Sequence, residues 1–144
     1  MKFTIATVAA LASVAAASVV NKRQELTHNF EFQGFAASCA ADSDICTFSF
    51  NLFGAQPCSA TQPAFTGTDA NGATYKKLPN IGQTYCGTLA WNAARGADGV
   101  FKISASDRGR TPALTGAFDI PAAEFTVANG VEAYTGAGII ILYG

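Results

Sequence analysis

Cys46-Thr47-Phe48-Ser49-Phe50-Asn51-Leu52 alternates apolar and polar residues without a break. Cys46, Phe48, Phe50 and Leu52 then share one face, the period of a half-buried strand, whereas a helix would scatter them around its circumference. Leu26-Thr27-His28-Asn29-Phe30-Glu31-Phe32-Gln33 repeats the pattern if His28 is counted with the apolar phase. That phase makes His28 a partly buried packing residue.

Working outward, turn chemistry divides the rest of the chain into short segments. Gly67 to Gly72 ends in Asn71-Gly72, a pair that tolerates positive φ and suits a tight turn. A short strand is expected from Ala73 to Leu78 and another from Tyr85 to Asn92. Asp98-Gly99 turns the chain into Val100 to Ser106, where Phe101, Ile103 and Ala105 share a face. Asp107-Arg108-Gly109 is the next turn, followed by Leu114, Gly116, Phe118 and Ile120 in one phase up to Pro121. A central strand cannot continue through that proline. Pro121 to Phe125 suits one helical turn. Asn129-Gly130 precedes a segment from Val131 to Thr135, and Gly136-Ala137-Gly138 precedes the run from Ile139 to Tyr143.

About eight or nine short antiparallel strands at this spacing predict an all-β domain, a single small β-barrel or sandwich. Phe30, Phe32, Phe48, Phe50, Phe101, Phe118 and Trp91 fall on inward phases. Each fully buried side chain of that size contributes on the order of 2–3 kcal/mol.

The first residues have the layout of an export signal. Met1-Lys2-Phe3 supplies a charged start, and Thr4 to Val20 carries no charge and is mostly Ala, Val, Ile and Leu. Ala15-Ala16-Ala17 offers the small residues that signal peptidase needs, so cleavage is expected after Ala17. Lys22-Arg23 then reads as a processing site. The expected organisation is a signal peptide over residues 1–17, a short pro-segment over 18–23 and a secreted domain over 24–144, which leaves 121 residues. Losing Lys2, Lys22 and Arg23 leaves six basic residues against ten acids, a formal charge of −4. Nucleic-acid and anionic-membrane binding draw on clustered cations, so neither is expected of this chain. Lys76-Lys77 and the Arg108/Arg110 pair read as solvated groups. The apolar run from Ile139 to Tyr143 is too short for a membrane-spanning helix or a lipid-anchor signal.

The four cysteines, Cys39, Cys46, Cys58 and Cys86, all follow residue 24. An even number in a small exported chain argues for two disulfides. Three connectivities are open, and Cys39 with Cys46 and Cys58 with Cys86 is the favoured one. Loops of those lengths give about 2.5 and about 3.6 kcal/mol by loop-closure entropy. No C-x-x-C pair is present and His28 is the only histidine. A zinc site is therefore not expected, and neither is any cofactor.

Catalytic chemistry has few starting points in this sequence. His28 has no G-x-S-x-G segment beside it. Asp42/Asp44 and Glu124/Glu132 are carboxylate pairs of the kind glycoside hydrolysis uses, but Asp42 and Asp44 read as solvated loop acids. Gly136-Ala137-Gly138 lacks the helix and the Lys-Ser/Thr of a phosphate loop. Arg95-Gly96-Ala97-Asp98 reads as a turn, and no N-glycosylation sequon occurs. A non-enzymatic role is expected.

A family resemblance points the same way. Phe35-Ala36-Ala37-Ser38-Cys39, Cys46-Thr47-Phe48-Ser49-Phe50, Cys58-Ser59-Ala60 and Tyr85-Cys86-Gly87 resemble small secreted fungal proteins described as hypersensitive-response-inducing elicitors. Asp98-Gly99, the run from Leu114 to Phe125, and Asn129-Gly130 ahead of Glu132 to Gly136 extend the similarity over most of residues 30–142. More distantly, the chain is similar to the Alternaria major-allergen class of disulfide-bonded β-barrels. The resemblance implies a compact barrel released into the plant apoplast, where a host protein or cell-wall component perceives it and a local defence response follows. It offers no catalytic residues, and it carries over the four cysteines as structural staples. The alternative is a carbohydrate- or cell-wall-binding module. For that role Tyr75, Tyr85, Trp91 and Tyr134 are the aromatic candidates, with Trp91 also counted in the core.

Overall fold

The computed structural model describes residues 27–144. The signal-peptide and processing expectations, including Ala17, Lys22 and Arg23, lie outside the described residues, as does Leu26. All twelve strands of the described residues belong to one sheet, which curls into a half-barrel.

Its spine is β1 (His28–Cys39), twelve residues long and flanked along its length by different partners. β12 (Ile139–Tyr143) runs antiparallel to the first half, pairing Phe30 with Leu142 and Gln33 with Ile139. β2 (Ile45–Leu52) covers the second half, from Phe32 opposite Leu52 to Cys39 opposite Cys46. A strand this long would keep one inward phase, and β1 does not. Phe30 and Phe32 are buried, then Phe35, Ala37 and Cys39 are buried. Gly34 makes the switch: its φ of +63° and a register shift between Gln33 and Ala36 form a bulge that moves the inward face by one residue.

From β1 the sheet extends in two directions. On one side β2 pairs with β3 (Gln56–Pro63). On the other, β12 leads through β9 (Leu114–Ile120), β8 (Phe101–Asp107) and β7 (Leu89–Arg95) to β6 (Ile81–Cys86). β11 (Val131–Tyr134) joins β1 near Ser38 and carries β10 (Phe125–Ala128) and β5 (Thr74–Lys77), and β4 (Phe65–Thr68) pairs with β5. One 3-10 turn, Ala122–Glu124, follows Pro121.

Aromatic contacts organise the core inside the curl. Phe32 stacks on Phe50 with ring centroids 3.8 Å apart, and Trp91 meets Phe50 edge-on at 5.2 Å. Phe48 stacks on Phe101 at 5.9 Å, which in turn meets Phe125 at 5.5 Å. Phe125 and Phe35 both meet Tyr134, so aromatic contacts link the underside of β8 to β10 and β11. Such pairs add about 0.5–1.5 kcal/mol each beyond their burial.

The end strands β3 and β6 come together without a hydrogen-bonded ladder between them. Here the Cys58–Cys86 disulfide makes the connection. Pro57 and Pro63 in β3 have no N–H to offer, which suits a strand at a sheet edge. The Cys39–Cys46 disulfide instead spans β1 and β2 at a position already paired.

Several sequence expectations need correction. Twelve strands replace the expected eight or nine, because β4 and β10 are short and these two and the longer β3 are mostly exposed, so they show no burial alternation. The sheet is mixed, since β5 and β11 run parallel. The expected strand from Tyr85 to Asn92 is two strands joined at Gly87, whose φ is +62°. His28 is exposed, because a bulge between His28 and Phe30 turns Asn29 inward instead. Phe118 is half-buried at the margin of the core.

Candidate functional site

Arg95, read as the start of a turn, and Lys76, read as a solvated group, are both held by the fold. Arg95, at the end of β7, donates from Nη2 to Glu132 Oε2 at 2.9 Å, with both side chains largely buried. Its guanidinium lies 4.9 Å from the Phe125 ring centroid and 5.5 Å from that of Phe101. The Glu132 carboxylate also accepts the Leu78 backbone N–H at 2.8 Å. This fixes the start of the Leu78-Pro79-Asn80 link, whose Asn80 carboxamide accepts the Arg95 N–H. Glu132 is therefore a structural anchor and stands paired with Arg95, not with Glu124. Lys76 points into the β1–β2 hairpin loop, where its ammonium donates to the Ala40, Ala41 and Ser43 carbonyls at 3.2, 3.0 and 2.6 Å, with Asp44 at 3.6 Å.

Of the four aromatic candidates, the structure removes Trp91 from any exposed surface, leaving it 1 % exposed against Phe32 and Phe50. Its inward phase on β7 wins over its sugar-binding chemistry. Tyr75 lies with its ring over Gly67 on the neighbouring strand, where any added side chain would strike it. Tyr134 is half-buried and donates its hydroxyl to the Ala137 carbonyl at 2.7 Å. Only Tyr85 is widely open, at 58 %, with the Arg108 guanidinium 5.9 Å from its ring centroid. The four do not converge.

Burial pushes the Tyr134 phenol up to about 12, with the adjacent Glu124 carboxylate contributing as hydrogen-bond partner and negative charge. Because the fold holds the neutral phenol, that contribution to stability is complete below the ordinary tyrosine value of about 10 and is lost as pH rises through about 12. Phenolate absorbance from Tyr134 should therefore emerge only near pH 12 and should be missing from the titration of Tyr134→Phe. An emergence near 10 would contradict the placement. Beside the β8–β9 turn, the Thr88 hydroxyl, the Gly109 N–H at 2.8 Å and Arg110 hold the Asp107 carboxyl below its usual range.

A trough of about 470 Å³ lies on the opposite face of the sheet from the core, across β6, β7, β8, β9 and β12. Cross-strand register builds it from two parallel rows. Ala90, Ser106 and Thr115 stand opposite one another in the first, which Tyr85 extends on β6 beyond the trough. Asn92, Ser104, Ala117 and Tyr143 do so in the second. The first row is short throughout, and the second is short at Ser104 and Ala117 between Asn92 and Tyr143, so the floor is low and rises at the ends of the second row. Lys102 and Gln83 border the same space. A second concavity, of about 430 Å³, lies over β2 and β3 around Ser49, Asn51 and Ser59. Neither of these two concavities is lined by an Asp or Glu side chain or by His28.

None of the residues lining the trough was a candidate in the sequence reading. Their signal was the outward phase of three consecutive strands, where Ala90, Ser104, Ser106 and Ala117 are all small. Alternation shows that such residues face away from the core. It does not show that they stand side by side.

Among the described residues no cluster of three metal-ligating side chains occurs, and no helix is long and apolar enough to cross a membrane. The two disulfides point to an oxidising, extracellular environment. No family model, no curated protein and no solved structure matches the chain.

Proposed function

We propose that this chain is a secreted fungal elicitor or effector, acting in the plant apoplast by presenting a rigid surface to a host protein or cell-wall component, without catalysing a reaction. The observation that carries the proposal is the Cys58–Cys86 seam, which joins two sheet edges that hydrogen bonding leaves apart. A cross-link placed there holds one surface shape in an oxidising space and fails in a reducing one. The tied charges support the same reading, because the Arg95–Glu132 pair and the half-buried Lys76 are committed to holding the fold. The plant side comes from the resemblance of the cysteine-bearing segments and the Leu114 to Phe125 run to elicitor proteins.

Infiltrating leaves with purified protein of residues 24–144 tests the proposal. Local defence and cell death are expected from the oxidised protein, and none from a reduced and alkylated control. Silence from correctly folded, oxidised protein would count decisively against it. A second reading, a carbohydrate- or cell-wall-binding module, is favoured by the polar trough on the outer face of the sheet.

A further inference from the structure

We infer that the trough across β7, β8, β9 and β12 is a binding site for a neutral oligosaccharide, seated along the rows that run from β7 to Tyr143. The inference rests on the second reading above, that the chain binds carbohydrate, and it gives that reading a location and a ligand class.

Several features of the trough select this class. β7, β8 and β9 are hydrogen-bonded on both edges, so their backbones are already paired and a peptide cannot add to them as a further strand. Recognition must go through side chains. Those available are the Ser104, Ser106 and Thr115 hydroxyls and the Asn92 and Gln83 carboxamides. Each of these groups both donates and accepts hydrogen bonds, as the hydroxyls of a sugar do. An apolar ligand would leave them dry and unpaired, at a cost of about 1–3 kcal/mol for each group buried.

Charge narrows the class further. Lys102 is the one cation among the lining residues, and Asp119 stands opposite it on β9. A polyanionic ligand would find almost no counter-charge there, so a neutral glycan is favoured over an acidic one. Tyr143, 38 % exposed, closes one end of the second row and offers an aromatic face to the C–H side of a pyranose ring. The volume lies within the range of about 300–1,000 Å³ usual for small-ligand sites. At about 4.8 Å between neighbouring strands, the four strands from β7 to β12 span roughly 14 Å, room for a short oligosaccharide.

Isothermal titration of the oxidised protein with β-1,3-glucan oligomers, chitin oligomers and oligogalacturonides, in separate arms, tests the inference. Saturable binding of one or both neutral oligomers is expected, with affinity at least tenfold lower in Ser104→Arg, which fills the floor, and in Tyr143→Ala. Phe65→Ser, a change at an exposed ring on β4 outside the trough, should bind as the parent does. Trp91 fluorescence checks folding in each variant, and Asn92→Ala replaces Ser104→Arg should the latter misfold. The two neutral arms separate a glucan from a chitin source. Unchanged affinity in the trough variants would overturn the site while leaving carbohydrate binding in place. Preference for oligogalacturonide would overturn the neutral class. No binding in any arm at millimolar oligomer would overturn both the site and the carbohydrate reading.

Discussion

Replacing Cys58 and Cys86 together by serine should lower the unfolding free energy by about 3.6 kcal/mol, against about 2.5 kcal/mol for the Cys39/Cys46 double replacement. Loop length sets that order, since the separations are 28 and 7 residues. Position in the sheet widens the gap. Cys39 and Cys46 face each other at the end of the β1–β2 ladder, beside the bond from the Ala40 N–H to the Ile45 carbonyl, so the strands stay together when the cross-link goes. β3 and β6 share no ladder, so without Cys58–Cys86 the seam is left with side-chain contacts alone. Urea unfolding followed by the emission of Trp91, the only tryptophan and 1 % exposed, reads both variants. Equal losses, or a larger loss for Cys39/Cys46, would contradict the assignment of the seam.

Removing one partner of the Arg95–Glu132 pair should cost about 3–5 kcal/mol, the usual range when a buried charge loses its counter-charge. Glu132→Ala leaves the guanidinium between Phe101 and Phe125 with no carboxylate, and it deprives the Leu78 N–H of its acceptor. The variant is expected to unfold at markedly lower urea than any of its exposed acids changed to Ala, such as Asp42→Ala. Replacing both partners together, Arg95→Met with Glu132→Leu, should recover much of that loss because no charge is then left buried alone. A single Glu132→Ala variant as stable as the parent would show that the pair is solvated.

Inward phases on regular strands were legible in the sequence because they depend only on neighbours two residues away. Phe48, Phe50, Phe101 and Ile103 are buried where alternation puts them. Phase was lost wherever the backbone leaves the regular period. The bulge at Gly34 carries burial from Phe32 to Phe35, and the one after His28 turns Asn29 inward to donate to the Thr115 carbonyl. Gly34 is the one local mark of the first bulge, since a glycine inside a strand suits a positive φ, while no glycine marks the bulge after His28.

Long-range pairing was the other blind spot. Glu132 looks like an ordinary solvated acid until Arg95, thirty-seven residues earlier, is seen beside it. Lys76 looks like half of a lysine pair until the Ala40 to Ser43 carbonyls close around its ammonium. The trough has the same origin: Ser104, Ala117 and Tyr143 lie on three strands and meet only through register. Trp91 shows which signal to follow when two conflict. Its strand phase placed it inside, and its chemistry suggested a sugar platform; burial followed phase.

The central claim is that a curled sheet is locked at its open edge by one disulfide while the other reinforces a hairpin. Proteolysis of the native, unreduced protein followed by mass analysis of the linked peptides tests it most directly. Two linked pairs are predicted, one joining the peptides of Cys39 and Cys46 and one joining those of Cys58 and Cys86, with no free thiol. A link between either hairpin cysteine and Cys58 or Cys86, or unmodified thiols at the seam, would contradict it.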